Sequence, residues 1–193
     1  TLRVLRAAKQ AGVERVVLTS SALAMFGSMK TGTFGPEDWT DVNAPKVSTY
    51  TKSKTLAERA AWDFVAEQSG DHAMELVVIN PGGVFGPPLG KNISGQTMSI
   101  VDQMLRGKMP MVPNAAFPMA DVRDVAMLHV QAMTLPEAKG LRVVVASDGP
   151  LGFAQVAQIL IDDGYKGPST RIAPSSLLRF LSLFDREAKG MIG

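Results

Sequence analysis

"TLRVLRAAKQAGVERVVLTSS", residues 1–21, is the stretch that decides the fold class. Leu2, Val4, Leu5 and Ala8 recur at helical spacing, Gly12 is a helix stop, and Val16, Val17 and Leu18 form a solid apolar run. The reading is helix, tight loop, buried strand. The same order returns downstream. Ser48 stands as an N-cap before a helix that runs towards Gly70, and "MELVVIN" at 74–80 is a second continuous apolar run of the kind buried on both faces. Further helices are expected at 95–105, 122–133, 152–161 and 174–183, with a third β-rich run at 141–146. Strands alternating with helices imply crossover connections and a parallel, doubly wound α/β sheet.

In such sheets ligands bind beyond the carboxyl ends of the strands. After the first strand comes "TSSALAMFG", with small hydroxyls, and after the second comes "NPGGVFGPPLG", a proline and glycine turn. Glycines at 82 and 83 let backbone approach a ligand, while Pro81 and Pro87 stiffen the path. Between the two strands lies "STYTKSKTLAERAAW", residues 48–62, where Tyr50 and Lys54 are one helical turn apart and leave the same face. Leu56, Ala57, Ala60, Ala61, Phe64 and Val65 are expected to be the buried stripe of that helix, with Glu58, Arg59 and Asp63 on its outer face. Spacing alone does not make Tyr50 and Lys54 a catalytic pair.

Composition removes several classes. With 193 residues, 46% of them hydrophobic, the chain suffices for most of a single α/β domain. Twenty basic and 18 acidic residues are spread without a basic stripe, which argues against nucleic acid as a partner. The absence of cysteine excludes disulfides, thiolate zinc sites and cysteine nucleophiles and fits a reducing cytoplasm. His72 and His129 are isolated, with no second ligand at metal spacing, so no metal is expected. No apolar run approaches the roughly 20 residues of a membrane span. The chain opens at Thr1 inside a helical pattern, without methionine, and reads as part of something longer.

The segments "AAKQAGVERVVLTSS", "YTKSKTLAERAAW", "INPGGVFGP" and "ADVRDVAMLHVQAM" together resemble, in order and spacing, the extended short-chain dehydrogenase/reductase family. Within it the chain is most similar to the branch of dihydroflavonol reductases, cinnamoyl-CoA reductases and microbial aldehyde or ketone reductases. The resemblance implies a Rossmann-like domain of which residues 1–193 are the later two-thirds, with a small substrate-binding portion from about 86–120 and 150–193. It places the opening strand, the glycine-rich phosphate turn and the ribose-reading residue upstream of Thr1, and with them the choice between NAD and NADP; branch resemblance favours NADP.

The implied activity is reduction of an aldehyde or ketone, a small-molecule carbonyl substrate. A free tyrosine ionises near pH 10, and a cation beside it favours the phenolate. By resemblance Tyr50 exchanges the proton, Lys54 supplies the charge and holds the nicotinamide ribose, and Ser21 binds the substrate oxygen. Ser20 is the rival hydroxyl; Ser21 is preferred because the family places the catalytic hydroxyl last in the pair. Thr19 and Ser20 join the cofactor set, and Pro81, Gly82, Gly83 and Val84 match the loop around the nicotinamide, working through backbone groups. Arg3 stands where relatives often carry asparagine, so no asparagine relay is assigned.

The remaining segments receive ordinary readings. "FGPEDWTD" at 34–41 is a solvated loop that overhangs the substrate, and 90–105 forms part of the substrate wall, with Met98 and Met104 either core or pocket lining. Asn92-Ile93-Ser94 is an accidental sequon, while Asp121 and Asp124 cap a helix start. Two alternatives accompany the reductase. One is a nucleotide-sugar epimerase or dehydratase with retained NAD, which needs cations for a diphosphate where only Lys91, Arg106 and Lys108 are present between Gly86 and Asp121. The other is a non-catalytic cofactor-binding or redox-sensing protein. A homodimer through the helices flanking the serine strand, with Trp62 on the shared face, is the expected assembly.

Overall fold

The structure is a computed structural model that describes residues 1–28, 32–70, 73–90 and 95–174. The helix expected at 174–183, His72, Lys91 and the triplet at 92–94 lie outside the described residues, apart from Pro174 itself. The elements in chain order are α1 (Leu2–Gln10), β1 (Arg15–Thr19), α2 (Leu23–Phe26), α3 (Thr49–Ala66), β2 (Glu75–Pro81), β3 (Gly83–Phe85), α4 (Gln96–Leu105), β4 (Ala116–Phe117), β5 (Met119–Asp121), α5 (Val122–Thr134), a 3₁₀ turn (Pro136–Ala138), β6 (Arg142–Val145), β7 (Leu151–Gly152) and α6 (Phe153–Asp162). No described helix is long and apolar enough to cross a membrane.

The chain divides into two units. The first takes in Thr1–Gly82 and Ala120–Ala146, the second Gly83–Met119 and the chain from Ser147 onward. In the first, β1, β2 and β6 form a parallel three-stranded sheet in that order, with Val17 opposite Val77 and Ile79 opposite Val143. Strand side chains alternate between faces, and both faces are covered. On one, Val16, Leu18, Leu76 and Val78 pack with Leu5 of α1 and Ala61 of α3. On the other, Arg15 gives a 2.9 Å hydrogen bond to the Ala132 carbonyl and Thr19 Oγ1 lies 2.7 Å from His129 Nε2, both partners in α5. Helices on both faces of a parallel sheet make the doubly wound arrangement that the sequence predicts. Burial of Val77, Val78 and Ile79 contributes about 1.5–3 kcal/mol each.

Two expectations for α3 need correction. Leu56 is 53% exposed, and the buried positions are Thr51, Thr55, Glu58 and Ala61, so the first half of the helix turns a polar face inward, while Ala61, Phe64 and Val65 of the apolar stripe do pack into the core. Glu58 is accordingly not on the outer face. The physical reason is that the polar side chains facing inward find partners: Thr55 Oγ1 donates to the Thr51 carbonyl at 2.8 Å, and Glu58 meets three donors described below. Ser48 does cap the helix, its Oγ accepting from the Thr51 N–H at 3.1 Å. Trp62 packs against the core formed by Leu5, Ala61 and Met74, so it is not a free face.

The second unit has its own core of Met104, Val112 and Phe153, with Ile100, Met109 and Phe117 against it. Met104 is thus core. Strands β4 and β7 pair antiparallel, Phe117 opposite Leu151.

Candidate active site

All of the side chains proposed for chemistry belong to the first unit. Strand β1 ends at Thr19, and the two serines that follow enter the turn into α2. Helix α3 starts close to this turn and carries Tyr50 in its first turn and Lys54 in its second. Lys54 reaches the strand end: its Nζ donates to the Thr19 carbonyl at 2.9 Å. The ammonium is half-buried, and desolvation pushes its pKa below 10.5, with the Glu58 carboxylate one turn further on acting in the opposite direction. Among the described residues its other two N–H donors have no acceptor. Tyr50 is 52% exposed, so its phenol is open to solvent and to a ligand.

The adjacent serines, chemically identical, differ in what holds them. Ser20 Oγ donates to Glu58 Oε2 in a short hydrogen bond inside the fold. Ser21 Oγ accepts from the Leu23 N–H at 3.2 Å, and among the described residues its own proton has no acceptor. Thr19 uses its hydroxyl on His129, whose Nδ1 is 2.7 Å from the Val125 carbonyl. An Nδ1–H donating to that carbonyl leaves Nε2 of a neutral ring to accept from Thr19.

Several backbone groups of the Pro81–Val84 loop are hydrogen-bonded within the protein. The Pro81 carbonyl accepts from the Ala22 N–H at 2.8 Å, and the Gly82 N–H donates to the Val145 carbonyl at 2.9 Å. Gly83 and Val84 belong to the second unit, where the Gly83 N–H donates to the Pro118 carbonyl and the Val84 carbonyl accepts from Thr97 Oγ1 at 2.7 Å. A Cβ on Gly83 would lie 2.8 Å from the Phe117 ring, so aromatic packing accounts for that glycine. The backbone groups named here are committed within the protein. Lys54 and Tyr50, by contrast, fit a ribose diol and a carbonyl oxygen.

Sequence reasoning missed the groups behind the serines. Glu58 is 0% exposed and takes three donors: Ser20 Oγ, Asn80 Nδ2 at 2.8 Å and Arg142 Nε at 2.5 Å. Asn80 Nδ2 also lies 3.1 Å from the Ser21 carbonyl. Arg142 Nη1 donates to the carbonyls of Pro36 and Asp38, and its guanidinium stacks 3.7 Å from the Trp39 ring centroid. The loop at 34–41 is therefore tied down through Trp39 and its backbone, although Glu37 and Asp41 are exposed. The available signals were an asparagine inside an apolar run and an arginine opening a strand. Asp121 caps α5 by accepting from the Arg123 N–H at 2.8 Å, while Asp124 sits in the first turn without a capping bond.

Residues 1–146 match the NAD dependent epimerase/dehydratase family. The chain is 32% identical to the NADPH-dependent methylglyoxal reductase GRE2 of Saccharomyces cerevisiae, over 78% of this chain and 48% of that protein. It is 36% identical to the cinnamoyl-CoA reductase CAD2 of Medicago truncatula, over 83% and 49% respectively. The solved structure of yeast methylglyoxal/isovaleraldehyde reductase Gre2 complexed with NADPH superimposes with a TM-score of 0.75 at 32% identity, covering 90% of this chain and 56% of that one. The chain spans about half the length of the curated relatives it matches. It belongs to the NAD dependent epimerase/dehydratase family, in the branch that holds the Gre2 and cinnamoyl-CoA reductases.

Proposed function

We propose that the full-length protein reduces an aldehyde or ketone with NADPH, using Tyr50, Lys54 and Ser21. The observation that carries this reading is the free hydrogen-bonding capacity at one strand end. Lys54 is anchored on the Thr19 carbonyl with two donors to spare, Tyr50 lies one turn before it, and of the adjacent serines only Ser21 keeps an uncommitted proton among the described residues. When bound, NADPH would supply the hydride for the carbonyl carbon. Charge then develops on the carbonyl oxygen, where Ser21 donates a hydrogen bond and Tyr50 delivers the proton. Lys54 would hold the ribose hydroxyls of the cofactor through the donors it has to spare. Ser20 supports this set from inside the fold, its hydroxyl given to Glu58, while the Thr19 hydroxyl is engaged by His129. NADP is preferred to NAD because the Gre2 relative is NADPH-dependent by name.

A nucleotide-sugar substrate receives less support. Of the basic residues between Gly86 and Asp121, Arg106 is bound to Asp102 by two hydrogen bonds of 2.8 and 2.9 Å, which leaves it poorly placed to clamp a diphosphate. NADPH consumption with a panel of aldehydes, ketones and UDP-sugars separates the two. Reduction of a carbonyl compound is expected, and Tyr50→Phe should lower turnover by about 10²-fold or more. A Tyr50→Phe protein with more than half of wild-type turnover would sink the mechanism.

The same reading includes a cytoplasmic location, supported by the absence of cysteine. It also includes a homodimer through α1 and α3, for which exposed Val4 and Leu56 supply apolar surface. Light scattering on the full-length protein tests the dimer, and a monomer mass at micromolar concentration rejects it.

A further inference from the structure

A carboxylate and a guanidinium have been withdrawn from water directly behind the serine pair. Glu58 is 0% exposed and the Arg142 side chain 7%, with 2.5 Å between Oε1 and Nε. Such a pair is a poor source of stability, because desolvating two ions offsets most of their attraction, and apolar residues of similar size often do as well. Its partners are more informative than its energy. Helix α3 places Tyr50, Lys54 and Glu58 at successive four-residue intervals, so Glu58 lies one turn below the reacting groups. Its Oε2 accepts from the Ser20 hydroxyl and from Asn80, and Asn80 also donates to the Ser21 carbonyl. On the far side Arg142 bonds two carbonyls of the 35–38 turn and stacks on Trp39. Thr40 of the same loop returns to the serine segment, donating to the Leu23 carbonyl at 2.7 Å. Every polar contact of the pair among the described residues thus ends on the serine segment, its neighbour Asn80, or the loop.

We propose that Glu58 and Arg142 are a positioning pair for the reaction: they occupy the Ser20 hydroxyl, fix the backbone of Ser21, and hold residues 35–40 against that segment. Neither residue touches substrate or cofactor. The pair selects which serine is presented. With the Ser20 hydroxyl held by Glu58, the next residue keeps its own hydroxyl proton free, and its carbonyl is held by Asn80. This rests on the carbonyl-reductase reading above.

The test uses the full-length protein and counts competent sites by NADPH fluorescence titration, so that turnover is expressed per cofactor-binding site. A merely structural role would lower the number of sites without changing turnover per site. Glu58→Gln is expected to bind NADPH at full stoichiometry with turnover per site reduced about 10- to 100-fold, the cost of a reacting group displaced by about an ångström. Because Glu58→Gln leaves Arg142 buried and unpaired, the doubly apolar Glu58→Met/Arg142→Met protein serves where the single variant fails to fold, since removing both charges spares that penalty. It should bind NADPH and show the same loss per site. Turnover per site within about twofold of wild type in the double variant, beside an active wild type, overturns the positioning role alone. A wild type that reduces no carbonyl compound overturns the reductase reading, and the proposal with it.

Discussion

Replacing each of the adjacent serines by alanine should produce opposite phenotypes. Ser20→Ala removes one of three donors to the buried Glu58 carboxylate, and Asn80 at 2.8 Å and Arg142 at 2.5 Å remain. Partial satisfaction of a buried charge places the stability cost at about 1–2 kcal/mol. Turnover should fall less than about 10-fold, because no reacting group is lost. Ser21→Ala removes only a 3.2 Å acceptor from the Leu23 N–H, a long bond at a helix start, so its stability cost should stay below about 1 kcal/mol. In turnover it loses a donor aimed at the oxygen where charge develops, typically about 10²–10³-fold, or about 2.7–4 kcal/mol of transition-state stabilisation. Thermal melting and NADPH consumption, measured on both variants of the full-length protein, give the two axes. The reasoning is refuted if Ser20→Ala loses as much turnover as Ser21→Ala, or if Ser21→Ala melts lower than Ser20→Ala while turnover survives.

Other sites give independent checks. Ser48→Ala should destabilise the protein by about 1 kcal/mol, since it leaves the Thr51 N–H uncapped; an unchanged melting temperature would show that the cap is idle. Within the second unit, Gly83→Ala must displace the Phe117 ring at 2.8 Å, at a cost of about 1–3 kcal/mol, and Gly167→Ala should cost more because its Cβ would meet the Leu105 backbone carbonyl, which cannot rotate away. Equal melting temperatures for the two would contradict this. Glu75 is held below its ordinary 4.5 by hydrogen bonds from Arg15 and Lys139. Its folded pKa is depressed, so its contribution is complete above 4.5 and is lost as pH falls through the folded value. Glu75→Gln should therefore melt below wild type at neutral pH, with the gap closing in acid; a gap that persists well below pH 4.5 would count against the assignment.

The sequence by itself determined the longer helices and the three strands of the parallel sheet, with their order, because that information is local; the short α2, β3, β4, β5 and β7 carry too few residues for a periodic signal. Apolar periodicity placed α1, α3 and the solid runs of β1 and β2, and a solid run buried on both faces implies helices above and below. The four-residue spacing of Tyr50 and Lys54 likewise depends only on helical geometry. Tertiary structure alone decided that Glu58, and not Leu56, turns inward on α3. Apolar residues mark a stripe through Leu56, but burial follows whichever groups can be satisfied, and Glu58 is satisfied by an arginine 84 residues away. The same distant partners separate Ser20 from Ser21, which no local pattern distinguishes: one hydroxyl is consumed by Glu58, the other is not. They also tie Trp39 and its loop to β6 and commit the Gly82 N–H to Val145. Hydrogen bonds between residues far apart in the chain leave no periodic trace, and they decide which polar atoms remain free for chemistry.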